Sequence, residues 1–539
     1  MLAFALNVSL SSHAGAQDRA SMEVLRETTL NLIDALVEAK VLTRERADKL
    51  VREAEGRAKA TVAQRAASNT VRVPYVPEVV RNEMREQIKQ EVLAQARAER
   101  WAEPNAVPEW LDRIRWEGDV RLRYQSENFD RNNTPPLDYA LAALPVAGAA
   151  TRSADTAALN PNGIPTANTV DDRSRLRLRA RLEMLAKIGD QWGAGVRMVT
   201  GNTTDRVSTN QTLGQNFNKY TLVLDRAYLQ FQPYDWLSIW GGRLPNPWFS
   251  TDLVWDEDLN FEGLAATIKA DERRRFKPYL TVGVFPFREE NAPANPKARW
   301  LTGAQAGAQW ELDSETRFKF GLAFYNFRNV EGRLEANAAL DPLFLTPLDP
   351  SYGNSQYETG LRQKGNTLFR VNAPADPSAS TLWGLASKFR PWNLTASLDL
   401  AQFDPVHLVL TADYVRNPGF DRNDIAGRTG LLLADGRNSG YQFKATLGMP
   451  RVRNARDWQV SLAYRRLGSD AVLDAFTDSD FALGGSNHKG YALGLNYGVD
   501  RNAVLGLRWL SADALDSPTL VPGDRFAVDV FQMDMNLRF

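Results

Sequence analysis

Cysteine is absent from the 539 residues, and histidine occurs only three times. No disulfide can staple the fold, and no thiolate can hold a metal. Excess charge of either sign is missing too: 65 basic residues balance 65 acidic ones, which removes any bulk attraction to nucleic acid. The chain offers no run of 18 or more apolar residues, so no helix is predicted to span a membrane. That exclusion does not extend to strands, in which only every second side chain need be apolar.

Period-two alternation is what the sequence has in abundance. At the C-terminus Phe531, Met533, Met535, Leu537 and Phe539 alternate with Gln532, Asp534, Asn536 and Arg538. From Trp116 onward the pattern recurs. Val120, Leu122 and Tyr124 oppose Asp119, Arg121 and Arg123, while Leu176, Leu178 and Leu182 alternate with arginines. Such strands have one greasy and one wet face. Runs near 9–11 residues suit tilted strands that meet lipid outside and water inside. The predicted fold class is an all-β transmembrane β-barrel of about sixteen antiparallel strands, with a small N-terminal α-helical segment. The strands are expected at 115–124, 174–187, 191–200, 220–232, 236–244, 261–270, 278–287, 299–312, 316–328, 393–403, 405–416, 440–449, 457–467, 488–498, 501–512 and 525–539. Short turns alternate with long loops, which the even count places on opposite sides of the membrane. Residues 381–390 could form another strand, but a seventeenth would break this parity, so they are assigned to a loop.

Ahead of the barrel, residues 1–16 read as a secretory signal. Leu2 to Leu10 is mostly apolar, and Ala14-Gly15-Ala16 suits cleavage, although no basic residue precedes the apolar stretch. Residues 17–110 read as a helical, coiled-coil-like periplasmic segment. Met22, Leu25, Leu32 and Leu36 recur at helical spacing, and Pro74 and Pro77 interrupt it. The barrel is assigned to 115–539.

The wet face of the first two strands is basic. It carries Arg115, Arg121 and Arg123, then Arg173, Arg175, Arg177, Arg179 and Arg181. In a dry core adjacent like charges would repel, but in a water-filled pore they form an electrostatic lining. The third long loop supplies Asp252, Asp256, Glu257 and Asp258, with Glu262 just beyond, and its Trp248, Phe249 and Trp255 could anchor it. Folded inward, its acids would face the arginine wall across a narrow gap.

The stretch Val71 to Pro77, the run Gly118-Asp119-Val120-Arg121-Leu122-Arg123-Tyr124, residues Gly241 to Gly263 and the terminal Phe539 together resemble the putative-porin family of Gram-negative outer membranes. The resemblance covers nearly all of the mature chain. It implies a sixteen-stranded general-diffusion channel, commonly a homotrimer, with an inward third loop. Phe539 would then belong to the signal read by the barrel-assembly machinery. The implied surroundings are outer-membrane lipid and lipopolysaccharide, with small hydrophilic solutes as cargo and no nucleic acid.

Other chemistries fare worse. A hydrolase needs nucleophile, base and orienter together, whereas His13, His407 and His488 fall in three separate places. No cofactor is expected. A calcium hand begun at Asp256 would put Phe261 where glycine is required and Thr267 where glutamate is required, which leaves only a weak, irregular surface Ca²⁺ site. A barrel that tethers the envelope, with incidental conduction, is the structural alternative. A soluble all-β binding protein is the third.

Overall fold

The computed structural model describes residues 113–138, 150–154, 168–289, 297–334, 353–371, 382–430, 432–433 and 436–539, with positions 48, 49, 52 and 56 besides. The chain divides into two compact units, residues 1–106 and 107–539. The signal segment and nearly all of the expected helical segment lie outside the described residues; the four isolated positions are helical.

The second unit is a closed antiparallel barrel of sixteen long strands. These are β1 (Ile114–Phe129), β2 (Arg173–Lys187), β3 (Trp192–Thr200), β4 (Leu222–Tyr234), β5 (Leu237–Pro245), β6 (Asn260–Lys269), β7 (Phe276–Arg288) and β8 (Arg299–Glu311). There follow β9 (Thr316–Arg328), β10 (Trp392–Phe403), β11 (Val406–Arg416), β12 (Ser439–Gly448), β13 (Trp458–Leu467), β14 (His488–Asp500), β15 (Ala503–Ala514) and β16 (Ala527–Arg538). Each pairs with its neighbour in sequence. The ring closes where β1 pairs with both β2 and β16, so no backbone edge remains. The seam ends on Phe539 and Gly118, which exchange two backbone hydrogen bonds of 3.1 Å.

Burial is inverted relative to a water-soluble sheet. Leu122 is 47% exposed, and its neighbour Arg123 is 1% exposed. On β1 the even positions Trp116 to Tyr124 face outward, and Asp119, Arg121, Arg123, Gln125 and Glu127 are buried. Leaving one large apolar side chain in water forgoes about 1.5–3 kcal/mol, so a belt of dozens is compatible only with a hydrocarbon surround. Aromatic pairs mark both margins of that belt. Trp192 stacks on Phe231 and Tyr234 on Trp236 at the short-turn end, while Phe324–Trp392 and Tyr464–Tyr491 sit at the long-loop end.

Most strand ends fall within two residues of the expected spans, and two features depart further. Strand β1 runs on to Phe129, so the first long loop starts five residues later than expected. The span 381–390 does contain a strand, Trp383–Leu385, but not a barrel strand. It pairs with Lys364–Arg370, which also pairs with Ala150–Ala154, in a separate three-stranded sheet of the long loops.

Candidate functional site

The third loop, residues 246–259, is tied to inward-facing side chains around much of the ring. Gln305 on β8 donates to the Phe249 carbonyl at 2.7 Å and accepts from its N–H at 2.8 Å, so a side-chain amide stands in for a strand partner. Thr251 donates its N–H and hydroxyl to Asp413 on β11 at 3.1 and 2.6 Å. Asp252 accepts from Gln442 on β12 at 2.8 Å and pairs with Arg465 on β13 at 2.6 Å. Asp258 meets Arg181 on β2 at 3.1 Å and accepts from Thr209 of the second long loop at 3.1 Å.

The loop's apolar side completes the attachment. Trp248 and Trp255 are buried, edge-on to Tyr325 at 5.3 and 5.0 Å between ring centroids. Phe285, Leu301 and Phe327 of the wall join the same cluster. Gly283 and Gly303 are cross-strand partners beneath Trp248, and a Cβ on Gly303 would stand 2.8 Å from the indole ring. The wall is bare there because the indole needs the space. Phe249 is held differently, with the Lys319 ammonium 4.1 Å from its ring centroid.

The register of β1 and β2 sets like charges directly opposite each other: Arg121 faces Arg179, and Arg123 faces Arg177. Interleaved acids compensate. Asp119 takes Arg179 at 2.9 Å and Arg181 at 2.6 Å. Arg123 forks onto Asp534 of β16 at 2.7 and 2.9 Å and reaches Asp480 at 2.8 Å. Glu127 pairs with Arg175. The two end arginines differ, for Arg173 lies opposite Glu127 in the register and Arg115 is an exposed partner of Glu117. The expected arrangement, in which the third loop supplies the counter-charge, needs correction: of its acids, Asp258 is the one ion-paired to this wall among the described residues. Most compensation comes from strand neighbours, β16 and the seventh long loop. Glu262 stands apart, on β6, where it pairs with Arg243 at 2.5 Å. Glu257 is exposed beside the cavity described below.

The seventh loop, residues 468–487, is the part that sequence reasoning missed. Its Asp480 is shared by Arg123 at 2.8 Å and Arg508 of β15 at 3.0 Å, and its Asp478 pairs with Arg465 at 3.1 Å. It also joins the third loop. The Asp256 N–H donates to the Phe476 carbonyl at 2.8 Å, and the Ser479 N–H donates to the Asp256 carboxylate at 2.9 Å. A signal was present, because aromatic Phe476 and Phe481 bracket acids just as Trp248 and Trp255 do.

Burial alone would push every one of these loop carboxyls up. At Asp480 it is outweighed by Arg123 and Arg508, which hold the carboxyl well below its usual range. At Asp252 it is outweighed by Arg465 and Lys444, with the same result. At Asp256 burial wins, reinforced by the negative charges of Asp478 and Asp258, and the carboxyl is pushed well up. Asp478 is raised as well, by burial despite Arg465.

Beside these loops lies a polar cavity of about 760 Å³, lined among others by Arg121, Asn210, Glu257, Lys444, Arg508 and Asn536. No three or more metal-ligating acids or histidines gather among the described residues. His407 is bound to Asp399 at 2.7 Å on the β10–β11 hairpin, and His488 lies against Phe481 at the head of β14. They share no site. The arrangement is a polar cavity bordered by charged side chains of both signs from the wall and the two loops.

No curated protein sequence matches the chain. Among solved structures, OprB of Pseudomonas putida at high pH shares 10% identity at a TM-score of 0.43, covering 80% of this chain and 96% of that one. OmpF of Salmonella typhi in complex with daunomycin shares 10% at 0.39, covering 79% and 97%. The outer membrane channel DcaP of Acinetobacter baumannii shares 11% at 0.39, again covering 79% and 97%. Residues 26–539 match the family described as "Putative porin", and the chain belongs to that family of outer-membrane channel barrels.

Proposed function

We propose that the barrel is a water-filled channel for passive diffusion of small hydrophilic solutes, in which the third loop narrows the bore against the arginine wall. The observation that carries this reading is the joint placement of Asp258 on Arg181 and Asp252 on Arg465, which draws an acidic loop inside a ring of basic strands. Fixed charges of both signs around one opening orient dipolar solutes and disfavour apolar ones. Arg121, Arg123, Arg175, Arg177, Arg179 and Arg181 line the wall in this account. Asp252, Asp256, Glu257 and Asp258 are the loop acids.

Residues 1–16 serve as signal peptide, the segment 17–110 lies in the periplasm, and the functional unit is a homotrimer in lipid and lipopolysaccharide. Phe539 acts as assembly signal for the barrel machinery, a role supported by its position on the last rung of the seam. Planar-bilayer recording of the mature chain is the direct test. Stepwise ionic conductance is expected. A folded barrel that carries no current would favour the envelope-tethering alternative.

A further inference from the structure

The basic wall is compensated unevenly. Arg123, Arg175, Arg179 and Arg181 each have a carboxylate within 3.1 Å. Arg121 does not. Its nearest carboxylate oxygen belongs to Asp534 at 4.0 Å, and Asp534 already accepts from Arg123 with both oxygens. Arg121 is nonetheless buried, at 7% exposure, and faces Arg179 across the ladder. Its one hydrogen-bond acceptor within the described protein is neutral, the Asn210 carbonyl oxygen at 2.6 Å. The diagonal neighbour Arg177 is half-buried and likewise lacks a close carboxylate among the described residues. It makes long bonds to Gln125 at 3.4 Å and Ser208 at 3.3 Å and has no ion pair among the described residues. The Nε of each is buried without an acceptor.

The neutral partners of the two arginines are themselves linked. Asn210 donates to the Ser208 hydroxyl at 3.0 Å, so one segment of the second long loop touches both guanidinium groups. That segment is pinned in place, because Thr212 and Gln211 pair with Arg177 and Leu178 as a short extra strand on β2. Arg121 and Asn210 also line the 760 Å³ cavity.

We propose that Arg121 and Arg177, bridged by Ser208 and Asn210, form an oxyanion-binding subsite in the passage, suited to a small carboxylate or phosphate. The inference rests on the channel reading above and names its solute class. A buried guanidinium without counter-charge is costly unless an anion arrives to share it, and the guanidinium fork matches the two oxygens of a carboxylate or phosphate. Arg123, Arg175, Arg179 and Arg181 are occupied by internal acids and serve as scaffold. An anion approaching from the cavity meets the weakly compensated Arg121 beside the neutral Asn210 amide, with Arg177 linked behind it through Ser208.

The test uses the mature chain in two assays. In planar bilayers with KCl, succinate and inorganic phosphate are added as separate arms. Saturable current block at millimolar concentration is expected, with the half-blocking concentration raised about tenfold in Arg121→Gln and Arg177→Gln. Equilibrium binding of the same two anions to detergent-solubilised protein should show the same loss. Asn210→Asp is the second variant: it places an internal carboxylate on Arg121 and is expected to abolish binding while stabilising the wall, which guards against a glutamine variant that fails to fold. Block by one anion alone assigns the site to carboxylates or to phosphates. Unchanged block and binding in both Arg121→Gln and Asn210→Asp would overturn the subsite with conduction intact. Absence of conduction together with Arg121-dependent binding would overturn the channel reading and leave the subsite standing.

Discussion

Arg181 on β2 is shared between two carboxylates of different origin, Asp119 one strand away at 2.6 Å and Asp258 of the third loop at 3.1 Å. The first belongs to the wall and the second to the loop, so this guanidinium joins them. Asp258→Asn would keep the side-chain shape and remove one negative charge from the opening. Permeability should shift toward anions by roughly threefold, equivalent to about 0.7 kcal/mol, read as a displaced reversal potential in a salt gradient. An unchanged potential would place Asp258 away from the ion path.

Arg465 is the corresponding joint on β13. It holds Asp252 of the third loop at 2.6 Å and Asp478 of the seventh at 3.1 Å. Arg465→Gln strands the buried carboxylate of Asp478 and the partly exposed one of Asp252, and breaking a buried pair from one side costs about 3–5 kcal/mol. The seventh loop should become sensitive to external protease while the barrel stays closed, as judged by its heat-modifiable mobility on gels. Equal protease resistance in both proteins would show that apolar packing alone seats the loop.

Trp248 should prove the main apolar anchor of the third loop. Trp248→Ala removes a buried indole, at a cost of about 3–5 kcal/mol, and is expected to convert steady open current into flickering current. Gly303→Ala reaches the same end from the other side, since its Cβ would meet the indole at 2.8 Å. Quiet single-channel records in both variants would count against the anchor.

The contact between the two loops should depend on pH, with a sign set by Asp256. Its folded-state carboxyl is raised by burial and by Asp478 and Asp258, above an ordinary value of 3.8. The folded protein therefore holds that proton more tightly than the unfolded chain. The stability it contributes is fully present below pH 3.8 and is lost as pH rises through the raised value. Asp252 and Asp480 are depressed and act oppositely, losing their contribution only as pH falls through their own low values. Above pH 4 the raised neighbours Asp256 and Asp478 should set the sign. Hydrogen exchange at Ser479, whose N–H donates to Asp256, should quicken over that range beyond the intrinsic rise in rate. Asp256→Asn should flatten the excess, and a parallel rise in both proteins would remove Asp256 from the account.

The strands were legible because lipid and water impose opposite demands on alternate residues. All sixteen barrel strands were foreseen for that reason. Legibility failed where that contrast disappears. Beyond Tyr124 the outward residues of β1 are Ser126 and Asn128, polar like their inward neighbours Gln125 and Glu127, so the last turn of the strand carried no period. Trp383, Gly384 and Leu385 are buried together and show no alternation either. The candidate site was half legible. The arginines and the acidic loop could be read from composition and position. Their partners could not, because Asp534 and Asp480 reach Arg123 only after the ring closes, and the sequence between them says nothing of that register.

The rung between Gly118 and Phe539 has a kinetic meaning. Strand β16 is the one that completes the wall against β1, so every intermediate in which β16 is undocked presents two raw strand margins to the bilayer. Hydrocarbon offers those amides no substitute partner, and bringing such distant segments together carries the largest loop-closure entropy the molecule can incur. Insertion is therefore expected to be a late, concerted event with both margins shielded until β16 docks, and a chain lacking β16 should stall as a sheet that never becomes a tube.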